Sequence, residues 1–261
     1  MTQGKFIFLG TGGSAGVPKI GCSCCVCRSS DPANQRLRSS GLIQTQEGQI
    51  LIDAGPDFRA QALKSSIDKL SAVLLTHAHA DHIAGMDDLR AYYFLTKKKL
   101  PCFLSQETFD EVKLRYHYML KEVSLTKSVS AQIDFEIFSQ DRGTFSIEGL
   151  LFSYFSYYQQ GTKVTGFRLG NFAYVTDIKE YSKSVIEALK GVKTLVVSAM
   201  RQNSTPMHFS LDEAVSFSKR VCAQHTYITH ISHELEHKST NRSLPSDVQL
   251  SYDGLEVPFD Y

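Results

Sequence analysis

A chain of 261 residues with 42% hydrophobic content can bury one large core, so a single domain over residues 1–261 is the expectation. Its 28 Lys plus Arg against 27 Asp plus Glu leave a formal charge of +1, without the basic surplus of a nonspecific nucleic-acid binder, and nucleic acid is not expected as a partner. No charged start leads into an apolar segment and no apolar run approaches the ~20 residues of a membrane span. A cytoplasmic location away from membranes is therefore expected.

The strand "KFIFLG" opens the chain, and "GLIQTQ" and "QILIDAG" form a hairpin turning at Glu47-Gly48. "PDFRAQALKSS" follows as a helix with Pro56 in its first turn. The short apolar strand "AVLLT" runs straight into "HAHADH", and "ETFDEVKLRYHYML" makes a second helix. Further strands are "FEIFS", "TFSIEGLLFSYFSYY", "VTGFRLGNFAYVTD" and "TLVVSA"; "SKSVIEALKG" and "SLDEAVSFSKRVCA" are helices. Strand "TYITHIS" and a last hairpin "VQLSYDGLEVPF", turning at Asp253-Gly254, complete the pattern. Strands and helices mixed in this order predict an α/β (α+β) protein, two packed sheets with helices outside them.

His77, His79, Asp81 and His82 put four metal-binding side chains into six positions after an apolar strand. A loop has no packing reason to collect them. Imidazole suits Zn, Fe and Mn, and the carboxylate adds charge that favours a second cation, so the quartet reads as part of a dinuclear site with a hydroxide between the ions. A second cluster lies upstream in "CSCCVC", where Cys22, Cys24 and Cys27 are spaced too tightly for ordinary disulfides and supply three thiolates of a tetrahedral zinc site. Cys25 is surplus, and Cys102 and Cys222 read as core residues. Farther on, Ser210 and Glu213 form an S-x-x-E capping box that opens a helix, which sets His208 near a helix N-terminus suited to anions.

At the histidine quartet the chain resembles the metallo-β-lactamase superfamily, whose marker is His-x-His-x-Asp-His after a β-strand. The resemblance covers nearly the whole chain and implies a four-layer αββα sandwich with two divalent metal ions (Zn, Mn or Fe) at the sheet edges. It assigns Asp177 in "FAYVTD" as the metal-bridging carboxylate and His230 in "TYITH" as the last ligand. One further family histidine is replaced: in "YYQQGTKVTGFRLG", Gln160 or its neighbour Gln159 stands in its place, with Gln160 taken either as the replacement ligand or as a lining residue beside a metal-bound water. A carboxamide oxygen is a harder and weaker ligand, which predicts a less tightly held or harder ion beside His77 and His79.

The stretches "GTGGSAGVPKIGCSCCVC", "LIDAGPDFR", "THISH" and "LPSDVQLSYDGLEV" resemble the branch containing the phosphodiesterase of bacterial phosphonate breakdown. That branch carries a structural zinc, for which His233 in "THISH" is the fourth ligand beside the cysteines. The resemblance also implies that His208 protonates the leaving group and that Asp81 both ligates and orients. The expected activity is hydrolysis of a small cyclic or nucleotide-like phosphodiester, with a homodimer left open. Two alternatives stand: a tRNA 3′-end-processing nuclease, for which no basic, glycine-rich arm is evident, and a noncatalytic or cofactor-biosynthesis binding protein, which the glutamine would suit.

Overall fold

Alternation along the strands decides the layering. In the first strand, β1 (Gln3–Gly10), Phe6 and Phe8 point to one face and Ile7 and Leu9 to the other, and both faces are buried. The structure, a computed structural model, describes residues 2–120 and 130–261. After β1 the chain forms β2 (Ser40–Gln44), β3 (Gln49–Ile52), α1 (Phe58–Lys64), β4 (Ala72–Leu74), α2 (Ala80–Ile83), α3 (Arg90–Thr96), β5 (Leu100–Ser105), α4 (Gln106–Arg115) and β6 (Ile133–Phe138). It continues with β7 (Arg142–Ile147), β8 (Leu150–Gln159), β9 (Thr162–Leu169), β10 (Phe172–Val175), α5 (Lys183–Ala188), β11 (Thr194–Ser198), α6 (Leu211–Val221), β12 (His225–Thr229), α7 (His237–Ser243), β13 (Val248–Leu250) and β14 (Glu256–Asp260).

Two seven-stranded sheets result, ordered β14-β1-β2-β3-β4-β5-β6 and β13-β12-β11-β10-β9-β8-β7. Each begins with antiparallel neighbours and goes on with parallel ones: β3 to β6 in the first, β10 to β13 in the second. The space between the sheets is filled by Phe6, Phe8, Phe152, Phe167, Phe172, Tyr174 and their neighbours. A second core lies under α1, α3 and α4 through Phe58, Tyr92 and Val112, and a third under α5 and α6 through Val185, Leu211 and Phe217. Three cores separate four layers, so the fold is the αββα sandwich. Each large side chain fully buried in this way contributes roughly 1.5–3 kcal/mol, which these aromatic pairs across the sheets supply many times over.

Two expectations fail. Cys222, expected in the core, is exposed at the C-terminal end of α6. The last two strands are not a hairpin: β13 lies parallel to β12 in the second sheet, and β14 lies antiparallel to β1 in the first. The turn between them is anchored elsewhere, because the Asp253 carboxylate accepts from Thr11 N (2.9 Å), Thr11 Oγ1 (2.7 Å) and Leu37 N (2.7 Å). Among the described residues no helix is long and apolar enough to cross a membrane.

Candidate metal centre

Parallel strands end on the same edge, and the chemistry collects there, as it does at the carboxyl ends of strands in other α/β folds. Asp53 follows β3, His77 follows β4, Asp177 follows β10 and His230 follows β12. Three of these residues turn the chain sharply, with positive φ at Asp53 (61°), Asp177 (53°) and His230 (59°). A non-glycine residue in this left-handed region is strained, and the surrounding hydrogen bonds hold it there.

The histidine quartet spans the loop after β4 and the single turn of α2. His77 and His82 are fully buried, their rings 4.2 Å apart, and His77 Nε2 lies 2.9 Å from His79 Nδ1. Asp177 sits at the middle of the cluster. Its Oδ2 is 3.1 Å from His82 Nε2, and its Oδ1 is 3.2 Å from His208 Nδ1 and 3.4 Å from His230 Nε2. Asp81 Oδ2 is 3.3 Å from His230 Nε2 and 3.5 Å from His82 Nε2. Ligand atoms of three overlapping sets, His77/His82/Asp177, Asp81/His82/His230 and Asp177/His208/His230, each lie within 4.8 Å of one another. Asp177, His82 and His230 each belong to two of these sets.

Asp53, which carried no role in the sequence reading, fixes His82. Its buried carboxylate accepts from His82 Nδ1 at 2.7 Å and from Thr76 N and Oγ1, each at 2.8 Å. With Nδ1–H committed to Asp53, His82 turns Nε2 toward Asp177, the arrangement by which a carboxylate orients a metal-binding imidazole. The signal was present: "LIDAG" ends an apolar strand in aspartate just as "YVTD" does.

The charges agree with this geometry. Burial alone would raise Asp177, but His230 and His82 outweigh it and hold the carboxyl well below its usual range. Burial opposes a charge on His82 as well, yet Asp53, Asp81 and Asp177 together hold it well above the usual imidazole range. Burial pushes His77 well below that range and so keeps it neutral. A divalent cation bound at His82 Nε2 would take the place of a proton there. His82 Nε2 and Gln159 Oε1 are buried with no hydrogen-bond partner among the described residues, which fits donors awaiting a cation.

The glutamine at the centre is Gln159, not Gln160. Strand β8 alternates, so Tyr157 and Gln159 are buried while Tyr158 is exposed; Gln160, at φ 45° in the turn, also faces solvent. Gln159 Nε2 lies 2.9 Å from Asp177 Oδ1, to which it donates, and 3.0 Å from His208 Nδ1. Gln160 as the replacement ligand is thus corrected by the two-residue period of the strand. His208 is brought in by the start of α6, where the capping box closes: Ser210 Oγ accepts from Glu213 N (3.2 Å), and Glu213 accepts from Ser210 N (2.8 Å).

The cysteine cluster lies beside this edge. Cys22 Sγ and Cys24 Sγ each stand 3.4 Å from His233 Nδ1, and with Cys27 the four donors lie within 4.8 Å of one another. Zinc–sulfur and zinc–nitrogen bonds of about 2.3 and 2.0–2.1 Å at a tetrahedral angle put sulfur and nitrogen about 3.6 Å apart, so the donor set fits one zinc. The Cys27 N–H and the His233 imidazole lower the Cys24 thiol to about 6, while burial raises Cys27 to about 11. Cys25 is exposed and takes no part. Gly13 packs against the histidine cluster, where a Cβ would come within 3.3 Å of His230 Nδ1 and 3.0 Å of Met200 Cε.

A family model described as "Beta-lactamase superfamily domain" matches residues 49–231. The octanoyltransferase of Porphyromonas gingivalis is 34% identical over 264 residues, covering 98% of this chain and 52% of that protein. The chain spans about half the length of the curated relatives it matches. A solved structure described as a new diphosphatase from the PhnP family is 37% identical over 98% of both chains, with a TM-score of 0.90. Zinc-bound PqqB from Methylobacterium extorquens is similar in fold, with a TM-score of 0.78 at 17% identity over 97% of this chain and 99% of that one.

Proposed function

Because this chain belongs to the metallo-β-lactamase superfamily, we propose that it is a metal-dependent hydrolase of a small cyclic or nucleotide-like phosphodiester, a small molecule rather than a nucleic acid. The observation that carries this reading is the position of Asp177, in contact at once with His82, His208, His230 and Gln159. The similarity to a diphosphatase supports phosphorus as the reacting centre.

His77, His79 and Asp177 would hold one divalent cation, and Asp81, His82, His230 and the same Asp177 a second. Such cations supply Lewis-acid neutralisation of the phosphoryl oxygens and acidify water. Asp177 holds the cluster together, Asp53 aims His82, and Gln159 keeps Asp177 and His208 in one hydrogen-bonded group. Water attacks phosphorus, the bond to the leaving oxygen breaks, and His208 delivers the proton that oxygen needs.

The test is turnover of a 2′,3′-cyclic nucleotide and of bis(p-nitrophenyl) phosphate by protein loaded with Zn, Mn, Fe or Co. His208→Ala should slow the cyclic nucleotide, whose leaving group is a basic alkoxide, by on the order of 10²- to 10⁴-fold. The p-nitrophenyl ester, with a far less basic leaving oxygen, should lose less. Absence of turnover with every metal would sink the reading and favour a binding protein. A second reading, cleavage of a diphosphate bond, is favoured by the diphosphatase similarity and is separated by a diphosphate diester in the same assay.

A further inference from the structure

Beside His79 lies a cleft of about 450 Å³, a volume within the range of small-molecule sites, between α4 and the turn that joins β8 to β9. We propose that this cleft receives the nucleoside part of the substrate, with the base on Tyr158; the proposal rests on the phosphodiester reading and names its substrate class. Adjacent residues of β8 serve the two spaces. Gln159 points to Asp177, whereas Tyr158 is the cross-strand partner of Lys163, whose side chain reaches Glu107 on α4. Cross-strand partners project from the same face of a sheet, so Tyr158 stands on the α4 side, where the residue is 42% exposed.

Charge selects the ligand. Lys163 Nζ is 2.6 Å from Asp141 and 3.1 Å from Glu107, and Arg115 is 2.8 Å from Glu111 while donating to the Ala78 carbonyl at 2.5 Å. Among the described residues, the two cations lining the cleft are paired with three carboxylates, which leaves neither free for another phosphate. The cleft therefore takes an uncharged group rich in donors. Ribose hydroxyls and base amino groups meet the carboxylates and the Thr162 hydroxyl, and a flat base meets the exposed aromatic ring. Since His79 forms one wall, a nucleoside held there delivers its phosphate to the histidine cluster without spanning further protein.

Two measurements test this on the metal-loaded protein. The first compares a 2′,3′-cyclic nucleotide with glycerol 1,2-cyclic phosphate, the same cyclic diester without a base. Tyr158→Ala should raise KM for the nucleotide about ten-fold with little change in kcat, lowering the nucleotide-to-glycerol ratio of kcat/KM by a similar factor, and Tyr158→Phe should restore it. Equal losses on both substrates, or no change in either, would overturn the proposal. The second is calorimetric titration with adenosine, which reads the cleft without turnover. Binding that weakens about ten-fold in Tyr158→Ala supports the proposal even if neither ester is cleaved, in which case hydrolysis alone fails. Turnover of the cyclic nucleotide with no adenosine binding at millimolar concentration would overturn the proposal and leave hydrolysis standing.

Discussion

Asp53 and Gln159 both act on residues of the quartet and its bridge, and each yields a measurable difference. Asp53→Asn keeps the shape but replaces an anionic acceptor that serves His82 and Thr76 together. Outer partners of this kind typically matter 10- to 100-fold in metal affinity, so the variant should lose metal by that factor while its folded circular dichroism persists. Metal content after dialysis checks it, and full retention would mean that His82 needs no orienting carboxylate. For Gln159→His, an imidazole replaces a carboxamide whose nitrogen donates to Asp177 and whose buried oxygen has no hydrogen-bond partner among the described residues. Titration calorimetry of the parent should show one tight and one weak divalent site, and the variant two tight ones. Two equal tight sites in the parent would show that Gln159 costs no affinity. Of this chemistry the quartet, Asp177, His230 and His208 were legible because each is marked by neighbours in the sequence. Asp53 was not singled out because its partner lies 29 positions away, and Gln160 was preferred to Gln159 because a loop reading ignores which face of β8 each residue occupies.

Among the elements, the cysteine loop and His233 belong to segments more than two hundred positions apart, and Cys24 touches both the imidazole and the backbone N–H of Cys27. Changing Cys24 to Ser removes a thiolate from a four-donor set whose binding energy is also folding energy. The variant should release one equivalent of zinc and melt at a lower temperature; unchanged zinc and an unchanged melting point would remove the cluster from consideration as a metal site. Strands β1 to β3 and the run from β7 to β12 were legible from alternation and from turn residues. Strand β5 gives little strand signal in the sequence because Pro101 and the preceding lysines weaken its pattern, although its register with β6 is regular over six residues. Helices α3 and α7, of seven residues each, are shorter than the window of about eleven residues over which a helical period is read. The terminal pair was read as a hairpin because Asp253-Gly254 is a sound local turn signal; which sheet each strand joins depends on β12 and β1, far away in the chain.

The whole molecule gathers its reactive groups where two sheets meet, and cations held there would tie loops from both halves together. Chelation should therefore lower the melting temperature of the entire protein, and restoring metal should raise it again with increasing concentration. A melting curve indifferent to chelator would mean that the edge loops are held without cations. The parting of β13 from β14 carries a further consequence. Between them the chain leaves one sheet and enters the other, with Asp253 tethered to Thr11 and Leu37 at the crossing. If a protease cut after Asp253, the result would be a two-piece molecule: a large body keeping β13, and a short peptide held along β1 by backbone pairing and by Val257 and Phe259 buried between the sheets. Such a strand can exchange with added synthetic copies, so this edge is a natural place to divide the protein into parts that reassemble.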